Sequence, residues 1–191
     1  MRRSNGLLFW PVVLMVIALD VVTKAFAEQY LVPQRIPHDV FGDWVRLTLV
    51  YNPGAAFGLH LGEQSRWIFM ALTVAALVIL ARLYAATSPG ARARALALAL
   101  VCAGAVGNLL DRIRSSLGVV DFIDVGVGDA RWPTFNVADI AVSSGAFLLA
   151  WVLWREDQED AREGALAATA SATASAPSAP LPSESGQARS V

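Results

Sequence analysis

Two aspartates have the strongest claim to chemistry in this chain. Asp121 stands in Val119-Val120-Asp121-Phe122-Ile123-Asp124, and Asp139 closes Phe135-Asn136-Val137-Ala138-Asp139, with Asn136 three residues earlier on the same helical face. Hydrolysis of a peptide bond by carboxylates needs two of them. One must be ionised to take a proton from water, and the other protonated to donate to the scissile carbonyl. Two like charges about 3 Å apart cannot both ionise, so pairing supplies that division, and the low dielectric at a membrane sharpens it. The titration then belongs to the pair, and the sequence does not say which member holds the proton. In a soluble helix Asn136 would be an N-cap and Asp139 a carboxylate favoured by the helix dipole. At a membrane surface, with Asp121 able to fold back, the pair is a candidate aspartyl site.

Three further polar groups accompany it. Asp20 and Lys24, the latter the chain's only lysine, lie at i, i+4 in an apolar stretch. Burying either charge unpaired costs about 2.5 to 3.5 kcal/mol on insertion scales, so they are expected to form a mutual salt bridge that snorkels at the interface. Tyr51-Asn52-Pro53-Gly54-Ala55-Ala56-Phe57-Gly58 reads as a turn whose small residues admit a close backbone approach, with an Asn52 amide able to hold a peptide. In Gly107-Asn108-Leu109-Leu110-Asp111-Arg112, helical spacing sets Asn108 beside Asp111 and Arg112, which predicts an Asp–Arg pair capping a helix end in a supporting role. Gly104 and Gly107 fit close helix packing.

Other chemistries are excluded by composition. There is no GxSxG elbow, and Ser143 and Ser144 lack a nearby histidine. His38 and His60 show no metal-ligand spacing, and Cys102, the single cysteine, sits among alanine and glycine as a packing residue, so no metal or organic cofactor is expected. With 15 basic against 16 acidic residues, no basic face argues for nucleic acid.

What must position these residues is a membrane bundle. Of 191 residues, 55% are apolar and only 16% charged, with mean hydropathy +0.50, which is too apolar for an ordinary soluble domain. The apolar runs 6–19, 67–81, 95–110 and 140–154 each reach spanning length only when polar flanks are included. Those flanks are 20–24 for the first, Arg66 and 82–84 for the second, 111–112 for the third and 136–139 for the fourth. Ala25-Phe26-Ala27 resembles a signal-peptide cleavage site. Charges at Asp20 and Lys24 argue instead for a retained helix. Arginines at 2, 3, 82, 92, 94 and 155 predict cytoplasmic termini, which brings Asp20/Lys24, Asn108/Asp111/Arg112 and Asn136/Asp139 to one depth near the outer leaflet. Segments 45–51 and 118–125 read as short strands of a small extracytoplasmic antiparallel sheet. The fold class is thus a mainly α membrane protein of four transmembrane helices, residues 1–155. Residues 156–191, acidic and then rich in Ala, Ser and Pro, are expected to form a disordered cytoplasmic tail.

The five blocks, taken in order along the spans, resemble the signature blocks of lipoprotein signal peptidase, or signal peptidase II, over residues 7–155. The resemblance implies an aspartyl endopeptidase of the bacterial cytoplasmic (inner) membrane. Such an enzyme removes the signal peptide from prolipoproteins by cutting before a diacylglyceryl-modified cysteine. The modified prolipoprotein and membrane lipid are then its partners. By motif it makes Asp121 and Asp139 the catalytic pair. Asn52, Gly54, Asn108, Arg112 and Asn136 match residues that line or brace the site, and Asp20, Lys24 and Asp111 match supporting positions. Asp124 is a second carboxylate on the same strand; alternation puts it on the opposite face from Asp121, where it is expected to meet solvent.

Two other functions use the same charges. A proton or ion translocator would relay through Asp20, Lys24, Asp111, Arg112 and Asp139, but residues 74–80 and 147–153 carry no polar group for the other half of such a path. A purely structural anchor predicts that neutralising Asp121 or Asp139 changes nothing.

Overall fold

The structure is a computed structural model and describes residues 5–54 and 64–174. In chain order its elements are α1 (Gly6–Tyr30), β1 (His38–Phe41), β2 (Val45–Asn52), α2 (Ser65–Ala85), α3 (Arg92–Arg114), β3 (Val119–Val127), β4 (Ala130–Arg131) and α4 (Val137–Ala174). Each of the four helices contains a stretch long and apolar enough to cross a membrane. They wear their large apolar side chains outward: Leu7, Leu14, Leu72, Ile79, Phe147 and Trp154 are all exposed. Such surface is stable only where lipid replaces water. The interior sets small residues of α3 against larger ones of its neighbours. Leu98, Ala99, Cys102 and Ala103 of α3 pack with Phe9, Val13 and Val16 of α1, and Leu80 of α2 and Ala141 of α4 complete the cluster.

Small residues permit close helix contact, as expected for Gly104 and Gly107. A Cβ at Gly104 would strike the Ala138 carbonyl oxygen and Val142 of α4, and one at Gly107 would lie 2.5 Å from the Asp20 carboxylate. The two glycines therefore let α3 lie against α4 and leave room for a buried charge from α1.

The strands form one antiparallel sheet in the order β1-β2-β3-β4. β2 and β3 cover the two segments expected from sequence. The flanking β1 and β4 were not legible there, because β1 is exposed throughout and β4 has two residues, so neither shows alternation. Asn52 pairs with Val119 and Val50 with Asp121. A register shift between Leu47 and Val50 marks a bulge in the β2–β3 ladder. Leu49, Val120 and Phe122 bury against Ala27 and Leu31 at the end of α1, which seats the sheet on the helix that carries Lys24.

The chain divides into two compact units, Met1–Val152 and Leu153–Val191. The expectation of disorder from residue 156 is corrected over its first part: α4 continues to Ala174. Alanine and glutamate favour helix, no proline occurs in residues 137–176, and Arg155 pairs with Glu159 one turn on. Residues 175–191 lie outside the described residues.

Candidate active site

Three asparagines hold the two aspartates. Asp121 is 3% exposed on β3. Asn136 Nδ2 donates to its Oδ1 at 2.7 Å, and Asn52 Nδ2 to its Oδ2 at 3.2 Å. Asn52 reaches it because it pairs with Val119, two residues along β3 and on the same face as Asp121. The Asn52 Oδ1 in turn accepts the Gly54 N–H at 3.1 Å. Gly54 has φ +118°, and a Cβ there would press 2.8 Å from the Phe69 ring. That turn accordingly requires glycine. Residues 55–58 of the same motif lie outside the described residues.

Asp139 is fixed at the start of α4 by a reciprocal cap. The Asn136 Oδ1 accepts the Asp139 N–H at 2.9 Å, and the Asp139 Oδ2 accepts the Asn136 N–H at 3.2 Å. This is the geometry of a capping box, in which two otherwise orphaned helix donors are satisfied. Asn108 Nδ2 donates to the remaining oxygen, Oδ1, at 2.8 Å. Asn136 thus touches both carboxylates, and the fold-back expected between β3 and the start of α4 is realised through it. Asp139 is half-buried and lines an open cleft of about 300 Å³ with Trp132, Phe135, Ile140, Ser143 and Ser144.

The environments of the two differ. Burial raises the Asp121 carboxyl from its ordinary 3.8 to about 7, and the charge of Asp139 pushes the same way, while hydrogen bonds from Asn52 and Asn136 oppose them. A carboxyl poised there can still hold a proton near neutral pH, beside the Asp139 side chain that lines the cleft.

Beneath lies a cluster of buried charge. Lys24 Nζ sits 2.7 Å from Asp20, 2.8 Å from Asp111 and 3.0 Å from Asn108 Oδ1. The Asp20–Lys24 bridge expected from their spacing is present, but at 0% and 1% exposure it is wholly buried and does not snorkel. Asp20 Oδ1 also accepts the Ala138 N–H at 2.8 Å in the first turn of α4, and Asp111 Oδ2 the Val120 N–H at 3.2 Å beside Asp121. The cluster therefore ties α1, α3, α4 and β3 together at the carboxylates.

Two expectations are corrected. Asp111 does not cap α3 in a pair with Arg112; it turns inward to Lys24 and is reached by Arg114 at 3.3 Å. Spacing could not show this, because the buried ammonium needs a second carboxylate and α3 offers that one. The Arg112 guanidinium donates instead to the Asn108 carbonyl at 3.2 Å, stacks over Phe69, and lies in the field of Asp139, Asp121 and Asp111. Nor does Asp124 meet solvent. It is 9% exposed, bonded by Arg131 at 2.8 Å and Thr48 at 3.1 Å. It does use partners separate from those of Asp121, as alternation requires. Arg66 is a residue whose part sequence did not reveal: from the start of α2 it donates to the carbonyls of Arg112 at 2.6 Å and Ile113 at 3.2 Å, closing the end of α3.

Fold and site together define a polytopic membrane protein with a carboxylate pair where its helices meet a small sheet. A family model described as signal peptidase (SPase) II matches residues 12–155. The chain belongs to that family. A lipoprotein signal peptidase of Moorella thermoacetica is 38% identical over 156 residues, covering 81% of this chain and 98% of the relative. That of Teredinibacter turnerae is 42% identical, over 76% of this chain and 86% of its own. A solved bacterial membrane enzyme superposes with a TM-score of 0.73 at 26% identity, covering 83% of this chain and 94% of its own.

Proposed function

We propose that this chain is an aspartyl endopeptidase that removes the signal peptide from bacterial prolipoproteins, cutting immediately before the diacylglyceryl-modified cysteine. The observation that carries the reading is Asn136 bonded to both Asp121 and Asp139, with Asp139 at the wall of a cleft. The relatives' name, lipoprotein signal peptidase, supplies the substrate class.

In this reading Asp139, ionised, takes a proton from water as the oxygen attacks the scissile carbonyl, and Asp121, protonated, donates to the carbonyl oxygen. Collapse of the tetrahedral intermediate returns a proton to Asp121, and Asp139 passes its proton to the leaving amine of the modified cysteine. The pair ends as it began, and the products are a free carboxyl and a free amine. Asn52, Asn108 and Asn136 hold the pair; Gly54 and Arg112 line the site beside it; Asp20, Lys24 and Asp111 brace it. The family implies the cytoplasmic membrane, and the arginine pattern predicts cytoplasmic termini and a site near the outer leaflet. A substrate of one apolar helix and a lipid then enters sideways from the bilayer.

The test is cleavage of a diacylglyceryl-modified lipobox peptide by the purified chain beside Asp121→Asn and Asp139→Asn, both checked for folding and substrate binding. Loss of turnover with retained binding in both is the expected result. Normal cleavage by either variant, or none by the wild type, removes the assignment.

A further inference from the structure

We propose that Lys24 is a positioning residue for the carboxylate pair, holding the Asn108 amide so that its NH2 rather than its oxygen faces Asp139. The proposal rests on the aspartyl reading above and adds to it the contact that keeps a donor facing Asp139.

An asparagine amide can present either end, and only its partners decide which. An ammonium donates three hydrogens and accepts none. Those of Lys24 have three acceptors: Asp20, Asp111 and Asn108 Oδ1 at 3.0 Å. With its oxygen held there, Asn108 has only Nδ2 to offer Asp139 Oδ1, at 2.8 Å. A turned amide would set oxygen against carboxylate, an arrangement that requires a proton on Asp139. Asn136 Nδ2 also donates to Asn108 Oδ1, at 3.1 Å, but its two hydrogens are shared with Asp121 at 2.7 Å and the Val120 carbonyl at 3.3 Å. It cannot hold Asn108 alone without loosening Asp121. Lys24 therefore supplies the donor that leaves Asn136 free for Asp121.

The charged and titratable groups around Asp139 are Asp20 and Lys24 from α1, Asp111 and Arg112 from α3, and Asp121 from β3. A plain structural bridge between α1 and α3 would use the same Lys24 contacts, so the test must read proton position rather than activity alone. Removing Lys24 by itself would leave Asp20 and Asp111 without their cation. The variants are therefore made with Asp20→Asn, whose amide oxygen can still accept the Ala138 N–H. Glutamine at position 24 keeps a donor toward Asn108, and methionine keeps only the bulk.

The full chain is assayed in lipid on the diacylglyceryl lipobox peptide across pH. With Asp20→Asn/Lys24→Met, the acid limb of kcat is expected to move up by about one pH unit, a loss of about tenfold on that limb, with KM within about twofold. Asp20→Asn/Lys24→Gln keeps the limb in place. An unmoved limb in the methionine variant, with only the active fraction reduced, overturns the proposal and leaves Lys24 a structural bridge. If the methionine variant does not fold, Asp20→Asn/Lys24→Leu, a second apolar side chain without a donor, takes its place with the same two outcomes. The carboxyl infrared bands that vanish in Asp121→Asn and Asp139→Asn follow the protons without substrate. Wild type that fails to cleave would remove the proposed function, while the presence or absence of a shift of the Asp139 band in the Asp20→Asn/Lys24→Met variant would still decide this inference.

Discussion

Ionising Asp121 works against the fold, and the size of that opposition can be measured. A carboxyl raised from 3.8 to about 7 resists ionisation by up to about 4 kcal/mol, at about 1.4 kcal/mol for each tenfold in proton affinity. Its causes are burial on β3 and the neighbouring Asp139 charge. The unfolded chain releases this proton near pH 3.8 and the folded chain near pH 7, so folding takes up a proton between them. Stability from protonated Asp121 is full below about pH 3.8 and is lost as pH rises through about 7. Thermal unfolding of wild type and Asp121→Asn in one detergent, from pH 4 to 8, isolates this contribution. The wild type is expected to lose stability relative to the variant as pH rises, by an amount approaching that figure. In the peptidase reading the same ionisation removes the acid, so the alkaline limb of wild-type cleavage falls about tenfold per pH unit above about 7. A pH-independent stability difference between the two proteins, or activity that keeps rising past pH 8, would refute the argument.

Three other perturbations follow from the packing. Gly107→Ala places a methyl 2.5 Å from the Asp20 carboxylate and 3.3 Å from the Ala138 Cβ, and should cost about 1 to 3 kcal/mol and most of the activity, read by thermal shift beside cleavage. Asp124→Asn should keep cleavage while losing about 1 to 2 kcal/mol, because it weakens the Arg131 bond within the sheet but leaves Asn52 and Asn136 on Asp121; substantial loss of turnover would tie Asp124 to the chemistry. Truncation after Arg155 leaves the whole of Met1–Val152 and should cleave the lipobox peptide at the wild-type rate in lipid, which a time course checks directly.

The sequence by itself determined the spans, the two principal strands and the candidate residues of the proposed site. Each rests on a local signal: an apolar run ended by charges, aliphatic and aromatic runs bounded by Gly, Asp and Asn in β2 and β3, and Asn136 three residues ahead of Asp139, which closes a cap within one helical turn. Tertiary structure decided how those residues are partnered. Asp111 prefers Lys24 to its neighbour Arg112 because a buried ammonium draws in every acceptor the packed helices bring near it. Asp124 is buried because Arg131 and Thr48 meet it from the adjoining strands, and strand pairing is not visible along the chain. Gly107 makes way for Asp20 of another helix, and Asn136 spans from α4 to β3, contacts fixed by how the elements pack. Local spacing determines which residues share a face; the energy of burying a charge or an amide depends on what arrives from elsewhere in the chain, and only the folded arrangement supplies that.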